Sequence, residues 1–445
     1  MHEPESNIQR RIGTTTATSI VIANIIGSGI FTTTGIIATQ LPGPGWILLC
    51  WLAGGLIAIS GSLCYAELAT RMPEEGGEYV YLNRLYHPAL GFLTGWTSFI
   101  VGFSAPIAAS AMGFSEYLFA GLNLPSDSFA PDTIPLLKKA AAAAIILTFT
   151  VIHYAGIRLG SKVQNALTAL KIVIVAGLAL TGVVLGNRDW SSLSLQHNGS
   201  FDLLGVGTAM MLVMFAYSGW NASAYIAGEL KNPRRSLPLS LIAGTSIVIL
   251  LYLAVNLFIV ISLPYSDLAG TIPVVERAAV TAVGPWMGAV LSILISLALL
   301  SSLSAFIIIG PRVYFAMARD RLFFSFASRI HPRFGVPGRS IILQGLLAVL
   351  MVWIGTFEQL LVYLGFALGI FPWLAVAGLF IARRRKIGEA GAVRVRAFPL
   401  VPLFFLVSTL FLMVIAYMNR PLESSAALLT VSAGIPLYFL WKRLR

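Results

Sequence analysis

At least nine uninterrupted apolar stretches of about 20 residues run through the chain, each long enough to cross a bilayer as a helix. No other feature of the sequence constrains the fold as much. In hydrocarbon every backbone N–H and C=O must be paired within the protein, which leaves helices and closed barrels as the spanning structures. Barrel strands are alternating segments of about ten residues, and these stretches do not alternate. Asp, Glu, Lys and Arg make up 11% of the 445 residues and hydrophobic residues 57%; a soluble domain has about 25% and 45–50%. A soluble enzyme, a secreted disulfide scaffold and a disordered chain are excluded. The fold class is an all-α polytopic membrane protein.

Hydropathy and turn signals predict twelve helices, over 13–40, 45–70, 88–121, 137–155, 161–186, 202–230, 237–263, 284–318, 339–356, 358–382, 398–418 and 423–441. Pro42-Gly43-Pro44-Gly45, Asn232-Pro233 and Gly335-Val336-Pro337-Gly338 punctuate their ends. Residues 264–283 are too polar to span and read as an outer loop with a short helix over Val274–Val283.

Charge sets the orientation. Of the 30 Lys and Arg, 24 fall in cytoplasmic segments or at their helix ends if the N-terminus is inside. Lys138, Lys139, Arg188, Arg277 and Arg420 fall outside, and Lys171 lies within a span. Cytoplasmic loops collect Lys and Arg, so the net charge of +12 needs no nucleic-acid partner. Both termini are expected in the cytoplasm, in a cell inner or plasma membrane. The first apolar region is far longer than a signal-peptide core of about 7–15 residues and is read as a retained span. Cys50 and Cys64 share one helix and stand roughly 21 Å apart, too far to pair.

Two spans are interrupted at mid-membrane. The first contains Ile26-Gly27-Ser28-Gly29, the sixth Phe215-Ala216-Tyr217-Ser218-Gly219. Each glycine costs about 1 kcal/mol relative to alanine in a helix. Gly29 and Gly219 are 190 residues apart, each in the first helix of a five-helix block. Interruptions at matching positions in two halves point to a transporter site between inverted repeats. The half-helix after Gly29 offers N–H groups and a positive dipole end to an anion. The half-helices ending near Ile26 and Tyr217 offer carbonyls to a cation. A carboxylate and an ammonium at fixed spacing describe a free α-amino acid.

Gly27-Ser28-Gly29-Ile30-Phe31 resembles the first-helix motif of the amino acid–polyamine–organocation superfamily. Cys64–Ala69 with Gly76–Leu82, Phe215–Asn221 with Glu229–Pro238, and Arg312–Asp320 are similar to its second, sixth and eighth helices and the loops that follow them. The motifs run in order from about 12 to 340, and the sixth-helix string is most similar to the L-amino-acid transporter branch and its bacterial relatives. The resemblance implies a 5+5 inverted-repeat, leucine-transporter-like fold with two extra C-terminal helices. The expected division is 1–12 cytoplasmic N-terminus, 13–186 repeat one, 202–382 repeat two, 383–397 basic cytoplasmic loop, and 398–445 the last two helices with a short cytoplasmic tail. The resemblance implies sodium-independent exchange or proton-coupled symport of amino acids. It places the substrate carboxylate on Gly27, Ser28 and Gly29 and the ammonium near the carbonyls of Ile26, Phe215 and Ser218. Ala216 and Gly219 complete the site, and Phe215 is the outer gate. Animal relatives bond a heavy chain through a cysteine between the third and fourth helices; residues 122–136 contain none, so no disulfide-linked heavy chain is expected.

Lys171 lies about nine residues into the fifth span, roughly 13 Å from its end, and a lysine there is expensive and functional by default. It is expected to replace a coupling sodium by bridging helices one, five and eight, with Ser301, Ser302 and Ser304 as partners. Glu67 and Glu229 are expected to pair with loop arginines, Glu116 to lie at the interface and His153 to be structural. No HExxH, nucleotide-binding motif or nucleophile–His–carboxylate group is present; no enzyme activity, cofactor or metal is expected. Small third-helix residues (Ser104, Ala105, Ala108, Ala109) favour neutral amino acids. A cationic amino acid or polyamine substrate, or a transporter-like amino-acid sensor, are the alternatives.

Overall fold

The computed structural model describes residues 10–122, 133–185, 190–195, 202–271, 273–354, 357–388, 390, 392–419 and 421–443. Among these residues the chain is helical, with no strand and two isolated bridges, Ile12 to Leu230 and Glu75 to Ile226. The first half holds α1 (Thr14–Ile25), α2 (Gly29–Ala38), α3 (Pro44–Arg71), α4 (Glu78–Leu85), α5 (Pro88–Thr97), α6 (Ala105–Leu122), α7 (Thr133–Tyr154) and α8 (Ile157–Leu185). The second holds α9 (Leu203–Tyr217), α10 (Pro233–Ser262), α11 (Tyr265–Leu268), α12 (Val274–Val283), α13 (Trp286–Arg319), α14 (Gly338–Ile354), α15 (Phe357–Arg384), α16 (Leu400–Asn419) and α17 (Pro421–Arg443). Among the described residues nine helical segments are long and apolar enough to cross a membrane, and α9 and α14 are shorter apolar helices.

The predicted ends agree closely where proline or glycine marks them. Pro44 and Pro233 stand in the first turns of α3 and α10, where the missing N–H is no loss. Three stretches differ from the prediction. The sixth span is α-helical only to Tyr217 and continues as short 3-10 turns over Ala222–Tyr225 and Ala227–Glu229. The third contains a π-helical stretch, Ser98–Ser104. The segment after α3, predicted as loop, folds into α4 behind Gly76 (φ 114°) and Gly77 (φ 56°), left-handed values that glycine adopts without strain.

Burial ranks the helices. The most apolar windows of Thr14–Ala38 and α13 are 78% and 72% buried, against 22% for α7 and for Ser424–Arg443, so α1, α2 and α13 form the centre. α10 packs along α3 and α1, and α13 along α6. Small residues allow the close approach: a Cβ on Gly244 of α10 would meet Val21 of α1 at 2.7 Å, and Ser62 and Thr245 hydroxyls meet at 2.8 Å.

Charges near the helix ends are paired. Glu229 accepts from Arg312 Nε at 2.6 Å, with both side chains buried; this partner lies on α13, not on a loop as predicted. Glu67 accepts from Arg71 Nη2 at 2.8 Å, Arg383 Nη2 at 2.5 Å and Val395 N–H at 2.8 Å, which ties the end of α3 to α15 and the segment after it; its arginines too are helical, on α3 and α15, and not on a loop. Glu116 pairs with Lys138 at 2.5 Å, partly exposed. Cys50 and Cys64 are buried free thiols.

Removing one member of a buried pair costs about 3–5 kcal/mol because the other charge stays buried; exposed pairs contribute about 0.2–1 kcal/mol. Glu229→Gln should therefore lower thermal stability of the purified protein in detergent far more than Glu116→Gln. Equal melting temperatures for the two variants would refute this ranking.

Candidate functional site

Both predicted interruptions are real breaks. α1 stops at Ile25 and α2 starts at Gly29, with Ile26, Gly27 and Ser28 between them. α9 stops at Tyr217, and Gly219 takes φ 97°, a left-handed value that ends the helix. The breaks abut: a Cβ on Gly29 would meet the Ala216 Cβ at 2.9 Å, and one on Gly219 would meet the Asn24 backbone at 2.9 Å. Glycine at both positions is what lets the two backbones touch.

A cavity of about 150 Å³ opens beside them, lined in part by Gly27, Ser28, Gly29, Phe215, Ala216, Ser218 and Gly219. The π-helical stretch also lines it, with Ser98, Gly102 and Phe103. Such bulges in a helix recur at functional sites. A second, apolar cavity lies alongside and shares Phe215, Ser218, Trp220 and Pro372 with the first.

Ile26 and Lys171 are not in the lining. They meet on the far side of the first break. An ammonium has three N–H groups, and Lys171 Nζ has three acceptors: the Ile26 carbonyl at 2.6 Å, Ser302 Oγ at 2.7 Å and the Ala23 carbonyl at 3.3 Å. Ser302 Oγ also donates to the Ile26 carbonyl at 2.9 Å. Both lone pairs of that carbonyl are thereby occupied from behind. Ser301 bonds Thr168, and Ser304 bonds the buried His153 at 2.9 Å; neither is among the hydrogen-bond partners of Lys171.

A model of the amino acid permease family matches residues 12–440. The chain belongs to the amino acid permease family. It is 29% identical to the serine/threonine exchanger SteT of Bacillus subtilis, over 100% of this chain and 99% of SteT. It is 28% identical to the human b(0,+)-type amino acid transporter 1, over 99% of this chain and 89% of the relative. It is 27% identical to the human large neutral amino acids transporter small subunit 2, over 97% and 80%. The family is one of transporters, so the helices form a multi-pass membrane protein.

In this permease two further groups hold the breaks. The Tyr252 hydroxyl on α10 lies between the carbonyls of Ile25 at 2.8 Å and Ala216 at 3.0 Å, joining the two broken helices through one proton. Glu78, at the start of α4, is buried and faces the cavity. Its Oε1 accepts from Tyr65 Oη at 2.6 Å and Asn221 Nδ2 at 2.5 Å, and its Oε2 from Tyr225 Oη at 2.7 Å. Burial raises its carboxyl pKa, against the three donors, which lower it. Tyr252 gave no sequence signal beyond a hydroxyl at mid-span. Glu78 stood in the Gly76–Leu82 motif, but only the fold brings it to the cavity.

Tyr252→Phe leaves the Ile25 and Ala216 carbonyls without this donor in an apolar setting, at a cost of about 1–3 kcal/mol. A lower melting temperature in detergent and a loss of transport are expected. Wild-type values of both would show that the hydroxyl does not hold the breaks.

Proposed function

We propose that the chain is a secondary transporter that moves neutral amino acids by alternating access, through sodium-independent exchange or proton-coupled symport. The observation that carries this reading is the paired breaks beside one cavity. At the first break, Gly27, Ser28 and Gly29 line that cavity at the N-terminus of α2, and a helix N-terminus suits a carboxylate. In this reading the carboxylate lies on Gly27, Ser28 and Gly29, and the ammonium is held by the carbonyls of Phe215 and Ser218. Phe215 closes the outer side. Ile26 contributes through Lys171, because its carbonyl is already taken. Lys171 stands in for a coupling ion by joining α1, α8 and α13.

The architecture that goes with this reading has twelve spans, with 13–186 and 202–382 as inverted repeats and 398–445 as two further helices. The Lys/Arg bias supports cytoplasmic termini in an inner or plasma membrane. Transport is proposed to need no disulfide-linked partner, since residues 122–136 carry no cysteine; residues 123–132 of that loop lie outside the described residues, as do 1–9 of the N-terminal tail. Neutral substrates are favoured over cationic ones because Glu78, the carboxylate among the described lining residues, already accepts from three donors.

Purified protein in liposomes tests this, against a panel of amino acids with and without internal substrate, sodium and a pH gradient. Flux of neutral amino acids, independent of sodium and driven by internal substrate or protons, is expected. No flux with any amino acid would sink the proposal. Gly29→Ile should abolish amino-acid binding by driving a side chain into Ala216. Lys171→Ala should abolish transport, and an unchanged rate and pH profile would remove Lys171 from the mechanism.

A further inference from the structure

Buried polar atoms find partners in native proteins, and each exception asks for an explanation. Two exceptions face the same cavity. Asn24 is 4% exposed and Thr97 3%, both line the cavity, and neither Asn24 Oδ1 nor Thr97 Oγ1 has a hydrogen-bond partner. The amide nitrogen of Asn24 is committed to the Ile20 carbonyl at 3.0 Å, so what Asn24 presents is an acceptor. Asn221, also in the lining, directs its nitrogen to Glu78 and to Tyr225 Oη at 3.3 Å. It too has only its carbonyl oxygen left to offer. Asn24 and Asn221 therefore offer this wall only acceptors, Glu78 already accepts from three donors, and the Thr97 hydroxyl is free to accept or to donate.

With the substrate carboxylate held at Gly27–Gly29 and its ammonium at the Phe215 and Ser218 carbonyls, neither charged group of the backbone answers that wall. A donor on the substrate side chain does. The donor is neutral on this geometry. The carboxylate in the wall already accepts from three groups, and the two unpartnered atoms belong to an amide and a hydroxyl, which recognise a hydroxyl or carboxamide without needing a charge. Size points the same way: a cavity of about 150 Å³ is of the order that holds a benzene-sized molecule, which suits a short side chain.

We propose that Asn24, Thr97 and Asn221 form a side-chain subsite that selects small neutral amino acids bearing a hydroxyl or carboxamide donor. The assignment rests on the amino-acid transport reading and narrows it. A site built to hydrogen-bond a substrate group discriminates against the isostere lacking it, because its own buried polar atoms are then left unpaired. Threonine and valine are such a pair, as are serine and alanine.

The test measures binding of threonine, valine, serine, alanine and lysine to the purified full chain by calorimetry. Threonine is expected to bind at least about five-fold more tightly than valine, and serine than alanine, the scale of one net hydrogen bond. Equal binding of threonine and valine, or tighter binding of lysine than of threonine, overturns the subsite while leaving amino-acid transport standing. Failure of every amino acid to bind overturns both. Thr97→Val, an isosteric change, and Asn24→Leu should each bring the threonine-to-valine ratio toward one. A ratio unchanged in both variants, with threonine still bound, overturns the assignment of these residues. The wild-type comparison decides the selectivity even if a variant fails to fold.

Discussion

The structure depends on one electrostatic requirement: two helices are broken in an apolar interior, and the carbonyls freed by the breaks must be satisfied. The chain does this with side chains from helices that do not break. Lys171 on α8 and Ser302 on α13 take the Ile26 carbonyl. Tyr252 on α10 takes those of Ile25 and Ala216. These contacts fix α1 and α9 against the three helices that supply them. The burial of α1 and α13 at the centre of the molecule follows the same need, since a broken helix facing lipid would expose the unpaired groups.

Much of this was legible in the sequence, and the exceptions are physically consistent. Helix existence followed from apolar runs, because backbone pairing in hydrocarbon allows little else. The breaks were legible because two Ser-Gly interruptions at corresponding places are hard to explain by packing alone. Lys171 stood out as a charge within a span. The second part of the sixth span was not legible: residues 218–230 have ordinary apolar composition, and only tertiary contacts show why they need not be α-helical. Gly76 N–H reaches the Tyr225 carbonyl at 3.0 Å, Ile12 N–H the Glu229 carbonyl at 2.9 Å, and Lys231 N–H the Ile12 carbonyl at 3.0 Å. Those bonds replace helical ones with partners far away in sequence.

The same reason hid Glu78, Asn24 and Thr97. Each is a polar residue near a helix end or a break, where polar residues commonly cap helices or meet water. Their significance lies in what they share, one cavity, and that sharing depends on Gly76 and Gly77 turning α4 inward and on the π-helical stretch reshaping the third span. A linear reading weighs residues singly or by short spacing. It registers a lone lysine in an apolar run more readily than three dispersed polar groups that converge.

The two faces of the first break divide the work. On the far face the chain supplies its own cation and one hydroxyl, so the Ile26 carbonyl is saturated. On the cavity face Gly27, Ser28 and Gly29 carry no side chain larger than a hydroxymethyl, which leaves the backbone approachable. A ligand entering the cavity therefore need not displace Lys171, yet it meets a segment whose other side Lys171 holds. Any shift of the break on substrate binding must be felt by the Lys171–Ser302 pair, because the same three residues separate them. Coupling between the cavity and α8 thus requires no long pathway: it passes through the thickness of one unwound strand of backbone.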